Sequence, residues 1–139
     1  LAEQFVVDNS VVMSWCFKDE TNSYADIVLN MLTKVSAVVP SIWPLEVVNV
    51  LLSAERQKRL SKSDSMRFLT LLSQLPIFVE YERPEKMMKE LLALARTSKL
   101  SSYDASYLDL AMRKGLPIAT LDNKLIEAAA RNDVPILAA

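Results

Sequence analysis

Pro117-Ile118-Ala119-Thr120-Leu121-Asp122-Asn123-Lys124-Leu125 decides how the rest of the chain is read. Ile118 to Leu121 is a short apolar run of strand character, Asp122 ends it, and a helix follows from Asn123 to about Arg131. The same order stands near the other end of the chain. Phe5-Val6-Val7 reads as a buried strand closed by Asp8, and Ser10 suits the N-cap of a helix through about Phe17. Between these units, Ala37-Val38-Val39 (stopped by Pro40) and Ile77-Phe78-Val79 are further strands, and Pro135-Ile136-Leu137 is a short edge strand. Helices are expected from Ser23 to Lys34, from Pro44 to about Arg59, and from a cap at Ser61 or Ser63 towards Ser73. Two more run from Pro84 to about Arg96 and from Tyr103 to Arg113. Short strands alternating with helices predict an α/β fold on a central parallel sheet of four to five strands.

The 139 residues are expected to form a single domain, 1–139, with no linker, repeat or low-complexity segment. The one glycine, Gly115, excludes Gly-rich phosphate loops and dinucleotide fingerprints. The absence of histidine removes imidazole acid–base chemistry, Ser-His-Asp triads and His-ligated zinc. Cys16 is the only cysteine, so no internal disulfide can form, which suits a reducing cytoplasm. Leu1 to Val7 carries Glu3 and does not read as a secretory leader. Val35 to Leu52 is interrupted by Pro40, Pro44, Glu46 and Asn49 and does not read as a membrane span. A net charge of −1 gives no general basic footprint for nucleic acid. Local basic clusters exist: Arg56, Lys58 and Arg59 with Lys62, and Arg113-Lys114. Each also fits a solvated helix face.

Four carboxylates stand where these elements begin or end: Asp8, Glu46, Asp104 and Asp122. Residues past the carboxyl ends of parallel strands share one edge of the sheet, where ligands bind. Acids gathered there repel one another unless a cation sits among them, and hard oxygen ligands suit Mg²⁺ or Mn²⁺. Each acid alone has a structural alternative. Asp122 can be a plain N-cap, Ser101-x-x-Asp104 resembles a capping box, and Glu46 suits the positive end of its helix. Asn49, about 300° around the helix from Glu46, can orient that carboxylate, contact substrate or be satisfied locally. Ser10 and Thr120, each two residues from an acid, can bond Asp8 and Asp122. Trp15, Phe17, Trp43, Tyr103 and Tyr107 read as core or interface, and Asp109, about 140° from Asp104, points elsewhere.

Val6-Val7-Asp8-Asn9-Ser10-Val11-Val12, Pro44-Leu45-Glu46-Val47-Val48-Asn49, Ser102-Tyr103-Asp104-Ala105-Ser106-Tyr107-Leu108 and Leu116 to Leu125 resemble, in order and spacing, the motifs of PIN domains. Among these the chain is most similar to VapC-type toxins of toxin–antitoxin pairs. The resemblance covers almost the whole chain. It implies a three-layer α/β/α fold and a Mg²⁺- or Mn²⁺-dependent endoribonuclease. Asp8, Glu46, Asp104 and Asp122 would be both catalytic and metal-holding, supported by Ser10, Asn49 and Thr120. It also implies a homodimer and a cognate antitoxin that blocks the site; the cytoplasmic location and the lack of a membrane partner are expected from the single cysteine and the interrupted apolar stretch. Some relatives place a further acid two residues after the fourth carboxylate, where this chain has Lys124. Arg56, Lys58, Arg59 and Lys124 are the candidate RNA contacts. The dimer is expected on exposed apolar helix surface near Trp15 or the helix containing Phe68. With no imidazole, metal-activated water is the expected nucleophile, leaving 5′-phosphate and 3′-hydroxyl ends. Two other readings stand beside this one. A PIN-like RNA- or protein-binding module without catalysis would be expected to lack an acid, and none is missing. A haloacid-dehalogenase-like phosphatase would want a second aspartate at Ser10.

Overall fold

β1 (Gln4–Val7), β2 (Ser36–Pro40), β3 (Ile77–Glu80) and β4 (Ile118–Ala119) pair in the order β3-β2-β1-β4, every pair parallel. These elements belong to a computed structural model that describes residues 4–138. Leu1 to Glu3, part of the segment read above as no leader, lie outside the described residues, as does Ala139. Phe5, Val6 and Val7 are fully buried because β1 lies inside the sheet and is covered on both faces, which explains an unbroken apolar run instead of an alternating one. Phe5 stands opposite Ala37 and Val7 opposite Ala119 in register.

The chain steps outward from β1 to β2 to β3, then returns to place β4 on the other side of β1. The helices are α1 (Asn9–Ser14), α2 (Ser23–Met31), α3 (Trp43–Arg56), α4 (Lys62–Ser73), α5 (Pro84–Ser98), α6 (Ser102–Lys114) and α7 (Asn123–Arg131). Right-handed crossovers put α1 to α4 on one face, and the reversal of direction puts α5 to α7 on the other. Packing agrees: α1 meets α2 and α3, while α6 lies on β1, β2 and β4 between α5 and α7. The result is the three-layer α/β/α architecture, with a topological switch point between β1 and β4.

Several boundaries differ from the sequence expectation for visible reasons. Asp8, not Ser10, occupies the N-cap position of α1, in extended backbone. Ser10 lies inside the helix and turns its hydroxyl back to Asp8. The helix ends at Ser14, and the Ser14 hydroxyl donates to the Glu20 carbonyl as the chain turns to bury Phe17. β4 stops at Ala119, since the Leu121 N–H donates to the Ser10 Oγ (3.0 Å) instead of to a strand. The expected fifth strand is a single bridge between Ile118 and Ile136; Pro135 has no N–H with which to extend it. Of the two candidate caps for α4, Ser61 is used, in a reciprocal box with Asp64. α6 ends on Gly115 at φ +63°, a left-handed turn that a side chain would strain. No helix among the described residues is long and apolar enough to cross a membrane.

Candidate active site

Asp8 is 5% exposed at the carboxyl end of β1, and its backbone N–H still donates to the Ala119 carbonyl (2.9 Å). A buried carboxylate needs donors. The Ser10 hydroxyl (2.7 Å) and the Thr120 hydroxyl (2.8 Å) both donate to its Oδ2. Thr120, itself buried just past β4, also accepts the Asp122 N–H (3.0 Å), so one hydroxyl ties the ends of β1 and β4 together. Burial pushes the Asp8 carboxyl above its ordinary pKa; hydrogen bonds from Ser10, Thr120 and the Asn9 backbone oppose this, and the Asp122 charge adds to it.

Glu46 enters from the first turn of α3 and accepts a hydrogen bond from the Tyr107 hydroxyl on α6 (2.5 Å). Its pKa is raised mainly by burial, against the Tyr107 hydrogen bond, and further by the charges of Asp8 and Asp104. Asp104 sits in the first turn of α6, whose N-cap is Ser101. Burial raises its pKa first, then the charges of Asp8 and Asp122; Ser101 and Lys124 oppose the rise. Asp122 caps α7, its Oδ1 accepting the Lys124 N–H at 2.8 Å. The capping role read from sequence is therefore real, and it leaves Asp122 at the cleft.

All four acids line one open cleft of about 510 Å³, with Asn9, Ser10 and Ser14 among its polar walls. A larger cavity of about 630 Å³ lies behind Phe17 and Arg59 and contains none of the four. Two features of the cleft fit a hard divalent cation. The donors are carboxylate oxygens whose neighbouring charges help to raise the pKa of Asp8, Glu46 and Asp104, and the buried Asn9 Oδ1 has no hydrogen-bond partner. Among the described residues no group of three or more His, Cys, Asp or Glu side chains forms a ready-made metal cage. A cation here would keep part of its water shell, as Mg²⁺ commonly does.

The remaining predicted residues divide. Ser10 and Thr120 are at the centre, whereas Asn49 is exposed and is not part of the cleft lining. Arg56 and Lys58 are exposed and also outside the lining. Arg59 lines the cleft, bonded to Glu20 (2.9 Å) and Asp19 (3.3 Å) and stacked 4.2 Å over the Phe17 ring. Asp109 turns away from the acids and pairs with Arg113 (2.8 Å). Sequence reasoning missed Asn9 and Tyr107. For Tyr107 a signal existed: three residues after Asp104, it shares that acid's face of α6. Burial and the Glu46 carboxylate raise the Tyr107 pKa far above its ordinary value, keeping the phenol a donor.

With this geometry in place, the PIN domain family model matches residues 5–131. The chain belongs to the PIN-domain family. PIN domains are generally nucleases. Among solved structures, the fold is similar to that of PAE2754 from Pyrobaculum aerophilum, with TM-score 0.69 and 22% identity over 90% of this chain and 84% of that one. It is also similar to FitAcB from Neisseria gonorrhoeae, with TM-score 0.59 and 16% identity over 96% of each chain. No curated protein matches the chain.

Proposed function

We propose that this PIN domain is a divalent-metal-dependent endoribonuclease that hydrolyses RNA phosphodiester bonds. The observation that carries the reading is the convergence of Asp8, Glu46, Asp104 and Asp122, from four separate elements, on one cleft at the switch point of the sheet. Those four residues would hold Mg²⁺ or Mn²⁺. A bound ion supplies a water of lowered pKa and offsets negative charge on the phosphoryl oxygens. The chain's own residues set the stage for that chemistry. Ser10 and Thr120 orient the Asp8 carboxylate and oppose the rise in pKa that burial imposes on it, and Tyr107 fixes one oxygen of Glu46. Asn9 offers an unshared carbonyl oxygen beside Asp8.

Its similarity to VapC-type toxins supports a cytoplasmic toxin whose cleft a cognate antitoxin blocks, acting as a homodimer. The helix carrying Phe68 exposes Met66 and Leu69, neighbours three residues apart on one side of α4 and available to such a dimer, while Phe68 itself is buried. A second reading, a binding module without catalysis, would use the same cleft, although the missing acid expected of it is not found, since all four acids line the cleft.

End-labelled single-stranded RNA separates these readings. Cleavage should appear with Mg²⁺ or Mn²⁺, vanish with EDTA, and leave 5′-phosphate and 3′-hydroxyl ends. It should survive replacement of the scissile 2′-hydroxyl by a 2′-O-methyl group. A 2′,3′-cyclic phosphate would overturn attack by water, and metal-dependent binding without cleavage would establish the binding module.

A further inference from the structure

The two sides of the carboxylate cleft use their positive charge differently. Beside α3 and α4 the cation is Arg59, and Asp19, Glu20 and the Phe17 ring already engage it. A phosphate approaching there meets two carboxylates around a cation they have neutralised. On the opposite side, α7 leads away from Asp122, and Lys124 in its first turn adjoins the cleft, its backbone N–H donating to the Asp122 Oδ1 (2.8 Å).

From Lys124 a second cavity of about 560 Å³ continues along α7. Lys99, Lys124 and Arg131 line it, with the hydroxyl residues Thr97 and Ser98 and a single carboxylate, Glu127. Lys124, Glu127 and Arg131 recur at helical spacing and share one face of α7. The facing wall is the end of α5, held in place by two contacts. Arg131 Nη2 donates to the Ser98 carbonyl (3.1 Å), and Asn132 Nδ2 donates to the Ser98 Oγ (3.2 Å). Lys99 follows in a left-handed conformation at φ 55°, across the groove from α7. Among the described residues, none of the three cations is in an ion pair. No aromatic side chain lines the groove, so it offers charge without a surface for base stacking.

We propose that the groove formed by Lys99, Lys124 and Arg131 carries the phosphate backbone of single-stranded RNA on one side of the scissile linkage. The substrate is then gripped asymmetrically, along α7 and not along α3 and α4, and without sequence preference on the gripped side. The identity of the polymer rests on the nuclease reading; the arrangement of charge does not.

The test measures binding of a fluorescein-labelled, mixed-sequence single-stranded RNA oligonucleotide in EDTA, across a range of salt. Without divalent metal the measurement is independent of cleavage. Each phosphate contact contributes about 0.7 to the slope of log affinity against log salt for a single strand. The K99Q/K124Q variant should lower that slope by about 1.4 and K99Q alone by about 0.7, while K99R/K124R restores it. Both lysines are exposed, so the fold should be kept, and circular dichroism checks this. A charge-matched K34Q/K89Q variant on other surfaces should keep the wild-type slope. An unchanged slope in K99Q/K124Q, an equal fall in K34Q/K89Q, or no RNA binding by the wild type would overturn the groove. So would a loss of poly-glutamate binding with RNA binding intact, which would assign the groove to an acidic protein segment. Failure of the nuclease reading appears separately, as RNA that binds through these lysines yet is not cut with Mg²⁺.

Discussion

Asp8 carries the highest cost of any side chain in the cleft, since it is buried beside three other acids and is stabilised by only a few hydrogen bonds. Its pKa and those of Glu46 and Asp104 are raised in the folded protein. Acids with raised folded pKa values give stability that is fully present below their unfolded values and is lost as pH rises through the folded ones. In EDTA, Asp8→Asn should therefore melt higher than wild type near neutral pH, and the difference should shrink towards zero on acidification. Thermal melts between about pH 4 and pH 8 measure this; a difference that grows on acidification would contradict it. The same substitution, or Asp104→Asn, should lower Mg²⁺-dependent cleavage by more than about 100-fold, since loss of supporting residues alone costs 10–100-fold at metal sites. Tyr107→Phe should fall in that lesser range, about 10–100-fold, with little change in melting temperature because water can reach half-buried Glu46. An unaffected rate would remove Tyr107 from the site. Tyr107 was hidden because an aromatic residue on an apolar helix face reads as core, which it also is. The acids were legible because carboxylates at element ends are costly wherever they gather, a property of residue type and position together.

The elements were legible where local chemistry dictates them and blurred where long-range contacts do. Pro44 and Pro84 mark the first turns of α3 and α5, and the apolar runs became β1, β2 and β3, because proline geometry and burial act locally. The end of β4 and the start of α1 shifted because Ser10 and Thr120, 110 residues apart, meet across Asp8. No periodicity carries that information. The sequence likewise makes Arg59 a candidate RNA contact without revealing its ion pairs, since its partners Asp19 and Glu20 lie in a short 3-10 turn on the far side of β2 in sequence. Where the cap is local, its energetics follow directly. Ser61→Ala removes the hydroxyl that accepts the Asp64 N–H at 3.1 Å and should destabilise the protein by about 1 kcal/mol. Denaturant unfolding reads this as a lower midpoint at unchanged m-value. RNA cleavage should be unaffected, and a parallel loss of activity would mean that α4 does more than pack.

The sheet order β3-β2-β1-β4 concentrates the cost of the acids at one edge of the molecule. Alternating strands and helices predict the class of fold, but not which strands become neighbours, because pairing is settled by the packing of α6 across β1, β2 and β4. Once β4 lies beside β1, Asp8, Thr120 and Asp122 are forced together, and α3 and α6 bring Glu46 and Asp104 to the same opening. A chain of net charge −1 thus carries a locally acidic cleft whose electrostatic relief depends on a cation. A cation that binds only the folded state must stabilise it, by about 2.7 kcal/mol when its concentration reaches 100 times its dissociation constant. Titrating Mg²⁺ or Mn²⁺ into EDTA-treated protein should therefore raise the melting temperature continuously with concentration, while equivalent ionic strength from KCl should not. The shift should be largely absent in Asp8→Asn and Asp104→Asn, which begin from a more stable metal-free state and have less repulsion to relieve. A melting temperature indifferent to divalent ions, in a protein that otherwise folds, would mean that the four carboxylates tolerate one another unaided and would remove the physical ground for a metal centre.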